Sequence, residues 1–204
     1  DAIYEMNQAD SHADFAAAVV AGLQRLIEAE VAVFQVLDRA TQRILVRSSP
    51  EDAFTPEEVA YYTAHSGDMP LVAHYARHDD PYPRRISDVV DDATWLSSAY
   101  YRHCLARQSL TRCLALPIAV DASTVIAVSF SRGGAYFTDR YCALLRAFAH
   151  HLLLAWERHG DPWAERAEIV ARRRFRALGL SPRESEVLFW MTKGKQNREI
   201  AIIL

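Results

Sequence analysis

The stretch from Leu180 to Leu204 restricts the possible folds of this chain more than any other part of it. Ser181 carries a hydroxyl suited to capping a helix, and Pro182 fits the first helical position, where the missing N–H costs nothing. Glu184, three residues after Ser181, reaches back to complete a capping box. Val187, Leu188 and Met191 then recur at helical spacing, and Gly194 supplies a C-terminal stop. A second helix is expected from about Gln196 or Asn197, with Ile200, Ile203 and Leu204 forming a narrow apolar stripe. Two short capped helices joined by a glycine turn form the front of a helix-turn-helix.

The string Leu180-Ser181-Pro182-Arg183-Glu184, the glycine turn and Asn197-Arg198-Glu199-Ile200-Ala201 together resemble the LuxR-type (GerE-like) DNA-binding domain. In that family two more helices follow, and the first of them enters the major groove. Because the chain stops at Leu204 and starts at Asp1 rather than methionine, both ends look trimmed and the DNA-binding domain truncated. The resemblance makes DNA the expected partner. Within the segment present, phosphate contacts are expected from Lys195, Asn197 and Arg198 at the start of the last helix, where free amides attract anions. Contacts of that kind position a protein on DNA without specifying a sequence.

Composition bears on class. The chain has 204 residues, enough for one well-buried domain and a small appendage. Apolar residues are interspersed with charge, and no run approaches the roughly 18 needed to span a membrane. Neither a membrane association nor a secretory signal is expected. Cys104, Cys113 and Cys142 are an odd, widely spaced set that suits a reducing, cytoplasmic compartment better than a disulfide scaffold. The net charge of −3 hides an asymmetry, since residues 1–160 carry 14 basic against 20 acidic side chains and residues 161–204 carry 9 against 6. The basic excess thus coincides with the DNA-binding segment, as phosphate neutralisation requires. Much of it is Arg172, Arg173, Arg174 and Arg176; a merely solvated helix face explains such a run equally well.

Before that segment the pattern is α+β. Ser11 or Asp10 opens a helix with Phe15, Val19, Leu23, Leu26 and Ile27 on one face. Val31–Leu37 and Ile44–Ser48 read as a hairpin. Thr55-Pro56-Glu57-Glu58 is a second capping box, opening a helix that carries Tyr61 and Tyr62. An irregular middle rich in Pro, Asp and His runs from His65 to about Asp92, and Thr94–Arg107 reads as one helix. Leu110–Val120 and Thr124–Ser131 are two strong strands about a turn at Asp121-Ala122-Ser123. Thr138 is expected to cap a long helix with Tyr141, Leu144, Leu145, Phe148, Leu152 and Ala155 at core spacing.

This order of elements resembles a GAF domain, as do the strings His65…Met69-Pro70-Leu71, His74-Tyr75, Arg85-Ile86-Ser87-Asp88 and Phe137-Thr138-Asp139-Arg140. The resemblance implies an antiparallel sheet with helices on one face and a ligand pocket roofed by the middle segment. Ser66-Gly67-Asp68 and Met69 interrupt the usual His-Pro-Leu string, so His65 is not assigned as its histidine. The expected organisation is a GAF-like sensing domain over residues 1–159, a helical linker over 160–179, and the partial helix-turn-helix over 180–204. Gly160-Asp161-Pro162 breaks the long helix, and Trp163, Ala167, Val170 and Ala171 share one side of the next. That linker either pairs with its twin in a homodimer or packs back on its own sensor.

Small-molecule pockets are mostly apolar and aromatic with a few convergent polar groups. The ligand-binding candidates are Phe34 on the first strand, His74 and Tyr75 in the middle segment, Trp95, Tyr100, Tyr101 and His103 on the following helix, and Cys113 on the next strand. His74 and His78 lie four apart, but a metal needs three or four convergent ligands, so no metal and no cofactor is expected. Cys104 and Cys113 form no Cys-x-x-Cys pair, and no nucleophilic triad or phosphate loop is visible, so no enzyme is expected. The implied function is a ligand-responsive transcriptional regulator sensing an unidentified small molecule. One alternative is the acyl-homoserine-lactone receptor, whose Tyr/Trp/Asp sensor pattern has echoes only in Asp79-Asp80-Pro81 and Trp95. The other is a sensor or dimerisation module that does not read DNA, should the gene end near Leu204.

Overall fold

A computed structural model describes residue 9 and residues 11–78, 80–120, 124–158, 175 and 178–204. The expected turn at 121–123, the helix break at 160–162, the linker helix and the run of Arg172, Arg173, Arg174 and Arg176 lie outside the described residues. The chain divides into two units, residues 1–158 and 159–204.

The first unit is α+β, built on a five-stranded antiparallel sheet in the order β2-β1-β5-β4-β3. Its strands are β1 (Val31–Asp38), β2 (Arg43–Ser49), β3 (Arg84–Arg85), β4 (Arg112–Val120) and β5 (Thr124–Arg132). Side chains alternate between faces, so the register decides which residues meet. Phe34 pairs with Val128 across β1 and β5, and Cys113 pairs with Ser131 across β4 and β5. Both faces are covered, which is why β1, β4 and β5 read as nearly continuous apolar runs rather than as alternating ones.

One face packs on α1 (His12–Ile27) and α6 (Asp139–Glu157). Ser11 caps α1 by accepting from the Asp14 amide, and Glu28 ends it in the left-handed conformation. Phe34 is fully buried here, its ring 5.5 Å from Phe15 and 5.5 Å from Trp156. On α6, Tyr141, Leu145, Leu152, Ala155 and Trp156 are buried, whereas Leu144 and Phe148 are only half-buried. Thr138 stands at the N-cap position of α6 but makes no side-chain capping bond, contrary to expectation.

The other face carries the middle segment. Thr55 and Glu58 form the expected capping box of α2 (Pro56–His65). A single turn of 3-10 helix, Ser66–Asp68, leads to α3 (Pro70–Arg77). The single helix expected over Thr94–Arg107 is instead α4 (Asp92–Ser97), α5 (Ala99–Cys104) and a 3-10 turn, Ala106–Gln108. Ser98 makes the break: it is extended, and its hydroxyl accepts from the Tyr101 amide, so it ends one helix and caps the next.

In the second unit, α7 (Pro182–Thr192) and α8 (Asn197–Ile203) are joined through Gly194, whose φ of +78° favours glycine. The capping box forms as expected, with Ser181 N–H donating to Glu184 at 2.8 Å and Glu184 N–H donating to Ser181 Oγ at 3.3 Å. The buried face differs from the expected one. Ser185, Phe189 and Ile200 are buried, whereas Val187 and Leu188 are half-buried and Met191 and Ile203 are exposed. Ser185 fits an apolar core because its hydroxyl donates to Ser181 O at 2.9 Å.

Candidate functional site

Between the sheet and the middle segment lies a cavity of about 70 Å³. Its floor is Val33 and Gln35 of β1, Val46 of β2, Cys113 of β4, and Ser129 and Ser131 of β5, all from the same face of the sheet. Its roof is Phe54, then Glu58, Val59 and Tyr62 of α2, Met69, and Tyr100, Cys104 and Leu105 from α5 and its end. Glu58 and Tyr62 face inward together because they are four apart on one helix. The volume is about twice one water's share of liquid and below the roughly 300 Å³ at which drug-sized pockets begin.

One ion pair straps the wall. Arg107 donates to Glu58 through Nε at 2.8 Å and Nη2 at 2.9 Å, and Nη2 also reaches Ala53 O at 2.7 Å. Gln108 donates to the same Ala53 carbonyl. The Arg107 hydrogen bond lowers the Glu58 pKa, helped by the Thr55 amide and opposed by burial. That carboxylate is therefore ionised and fully engaged at neutral pH. Burial pushes the Cys104 thiol up to about 12 and the Cys113 thiol up to about 11, so both stay protonated. Cys113 lies 3.5 Å from the Ser131 hydroxyl. Burial also raises the Tyr100 and Tyr62 phenols, which remain neutral.

Of the eight ligand residues named from sequence, Tyr100 and Cys113 line this cavity. Phe34 does not: it is an even-numbered residue on a strand whose odd-numbered ones face the cavity, and it belongs to the helix-packed face. Trp95 is buried beside the cavity wall, with its indole N–H donating to Thr111 O at 3.0 Å. Tyr101 is half-buried against Trp95, ring centroids 5.6 Å apart. His103 is exposed and stacks on Tyr61 at 4.3 Å, while His65 stacks on the same ring at 4.2 Å.

His74 and Tyr75 lie on α3, away from the lining. His74 Nε2 is 3.0 Å from Asp80, which also accepts from Arg84 Nε at 2.6 Å. Burial raises the Asp80 pKa, but these bonds outweigh it and hold the carboxyl at about 2. The buried Tyr75 hydroxyl shares its proton between Tyr82 O at 2.9 Å and Ala115 O at 3.0 Å. Among the described residues, no group of three or more His, Cys, Asp or Glu side chains is arranged to hold a metal.

The sequence reading missed Tyr62, Glu58 and Gln35. A signal existed for the first two: a glutamate at the third position of a capped helix with an aromatic four residues later marks one inward stripe. Gln35 carries a comparable mark, a polar residue within an otherwise apolar strand.

In the second unit Lys195, Asn197 and Arg198 are exposed at the start of α8. Glu199 accepts from the Gln196 amide at 2.9 Å and from Lys195 Nζ at 3.2 Å, so the chain's own carboxylate occupies part of that helix end.

Residues 178–204 match the family of bacterial regulatory proteins, luxR family. Among solved structures, the VqsR LBD domain from Pseudomonas aeruginosa is similar with a TM-score of 0.61 and 14% identity, over 78% of this chain and 96% of that one. The N-acylhomoserine lactone dependent LuxR family transcription factor CepR2 from Burkholderia cenocepacia gives 0.51 and 14%, over 80% and 94%. Escherichia coli SdiA gives 0.50 and 18%, over 98% of this chain and 80% of that one. At such identities the likeness is one of fold. No curated protein matches the chain in sequence. The family match is thus confined to residues 178–204, and the domain before them shares its fold with the VqsR LBD domain and with CepR2.

Proposed function

We propose that this regulator responds to a small molecule held in the cavity between sheet and middle segment, and that DNA affinity is its output. The observation that carries the reading is the presence in one chain of the luxR-family segment and a domain sharing its fold with CepR2 and SdiA. Coupling requires the effector to favour one arrangement of the DNA-binding segments over another. A homodimer is the simplest carrier of that choice, and Lys195, Asn197 and Arg198 supply phosphate contacts. Regulation then rests on binding and not on catalysis, in keeping with two cavity thiols held in their non-nucleophilic form. A cytoplasmic location follows from DNA as partner, and no described helix is long and apolar enough to cross a membrane.

A lactone with a long acyl chain is the less favoured effector. Of the echoes of that receptor pattern, Asp79-Asp80-Pro81 and Trp95, Asp79 lies outside the described residues, and Asp80 and Trp95 have their polar atoms engaged within the chain. A cavity of 70 Å³ is also too small for such a ligand without movement of the roof.

Two measurements on the full gene product test the reading. Native mass spectrometry of freshly purified protein is expected to show a retained small molecule on a dimer. Selection from random duplex DNA is expected to enrich a two-fold symmetric site whose affinity changes once that molecule is removed. A product that enriches no site would remove the regulator reading, and one whose affinity ignores the molecule would remove the sensor.

A further inference from the structure

The loop that leads from β5 into α6 is held from outside between Gly133 and Phe137. Gly133 N–H donates to Glu30 at 2.9 Å, and each of the next four carbonyls accepts from an arginine. Arg112 Nε reaches Gly134 O at 3.3 Å, and Arg132 takes Ala135 O at 3.0 Å and Tyr136 O at 2.7 Å. Arg85 Nη1 reaches Phe137 O at 3.3 Å. These arginines stand on paired strands, Arg112 opposite Arg132 and Arg85 opposite Leu114, so they fix the loop to the sheet. The loop matters to α6 because Thr138 makes no side-chain capping bond, and the start of that helix relies on its surroundings.

A further contact reaches the loop from the helices of the roof. Asp92 is the first residue of α4, and it accepts from Arg112 Nη1 at 2.6 Å and from the Tyr136 hydroxyl. The Arg112 guanidinium also lies over the Tyr136 ring, 3.8 Å from its centroid. Asp92, Arg112 and Tyr136 thus touch one another in a closed triangle, although 20 and 44 residues separate Asp92 from its two partners. The Arg112 bond, and after it the Tyr136 bond, lower the Asp92 pKa, so the carboxylate is ionised at neutral pH. Exposed ion pairs add little to stability. What the triangle adds is a connection. α4 continues through Ser98 into α5, whose Tyr100 and Cys104 line the cavity, and Tyr136 stands just before the start of α6.

Resting on the proposed effector cavity, we infer that the Asp92–Arg112–Tyr136 triangle is a coupling device through which a shift of the α4–α5 roof changes the start of α6, the last described helix of the first unit. Arg112 keeps the loop on the sheet through Gly134 O, a bond that does not involve α4. Asp92 and Tyr136 are positioning residues, which act by letting the roof pull on the loop. Hydrogen bonds weaken steeply with distance and angle, so a small movement of α4 takes the acceptor away from the Tyr136 hydroxyl. The half-exposed Tyr136 side chain is then free to turn, and α6 loses a support near its uncapped start. Coupling between two elements is reciprocal, so a change at the loop must loosen the roof as well.

The test is amide hydrogen exchange, read by mass spectrometry, on the full chain carrying Asp92→Ala, Tyr136→Phe or both. Both side chains are more than one-third exposed, so neither change opens the core. Asp92→Ala is expected to speed exchange in the first turns of α6 roughly 3- to 10-fold, the effect of losing one hydrogen bond. Tyr136→Phe is expected to speed exchange in α4 and α5 by a similar factor, with α1 amides unchanged in both variants. The double variant should exchange no faster than the faster single one in either segment, because both changes remove the same link. If either effect stays on its own side of the triangle, or if the two effects add, the contact is local packing and the coupling device falls. No effector is used, so that failure leaves the effector cavity standing. An empty cavity in the native mass spectrum would strike the effector reading and leave the coupling seen by exchange in place.

Discussion

The two faces of the sheet are made by the same strands and have opposite characters. On the α1–α6 face, Phe15, Phe34 and Trp156 meet ring to ring, and Phe34 is completely enclosed. On the other face the same strands present Gln35, Cys113, Ser129 and Ser131 to a space that is not filled. Large aromatic rings pack a dry layer to high density, whereas small and polar side chains opposite short, interrupted helices leave room. A two-residue period is enough to keep the jobs apart, because neighbouring positions such as Phe34 and Gln35 point to opposite sides. One face is closed ring on ring, and the other keeps a small cavity within its own buried apolar cluster.

That contrast breaks first at the aromatic layer. Trp156→Ala or Phe34→Ala should cost roughly 3–5 kcal/mol of unfolding free energy, measured by denaturant titration; a loss near that of a surface change would mean that this face does not dominate stability. On the cavity face, Arg107→Ala leaves the Glu58 carboxylate without its main partner, and its expected cost is roughly 1–3 kcal/mol. A loss in Arg107→Ala equal to that of Trp156→Ala would erase the distinction between the faces.

Ser181→Ala is a control outside both faces. Loss of the cap should cost about 1 kcal/mol, visible as faster amide exchange in α7 with sheet amides unchanged.

Asp80 adds a pH-dependent test. Its pKa falls from the ordinary 3.8 to about 2 in the folded chain. As pH drops through 3.8 the unfolded chain takes up the proton first, so the stabilisation is complete above that pH and lost on the way to 2. Asp80→Asn should flatten the acid limb of the stability profile over that interval, and an unchanged limb would show that the His74 and Arg84 bonds do not hold in solution.

Local chemistry explains what was readable. The capping boxes at Thr55/Glu58 and Ser181/Glu184 form because serine or threonine, a proline and a glutamate at fixed offsets satisfy helix-end amides without outside help. The helix-turn-helix segment and the α+β order were legible for that reason. The break at Ser98 was not, because Tyr100, Tyr101 and Trp95 have helical spacing whether or not a serine caps midway. Phe34 was misplaced for a related reason. Within a strand buried on both sides, apolar character no longer tells which side a residue faces, and only the pairing register with β5 decides it.

The sequence alone determined the main elements, their order and the luxR-family segment, since those follow from contacts between residues a few positions apart. Only the tertiary structure decided which side chains meet across the cavity. Gln35, Glu58, Tyr62, Tyr100, Cys104 and Cys113 come from four separate elements. Their convergence depends on strand register and on the Arg107–Glu58 strap, and each of these is a long-range choice that no local pattern encodes.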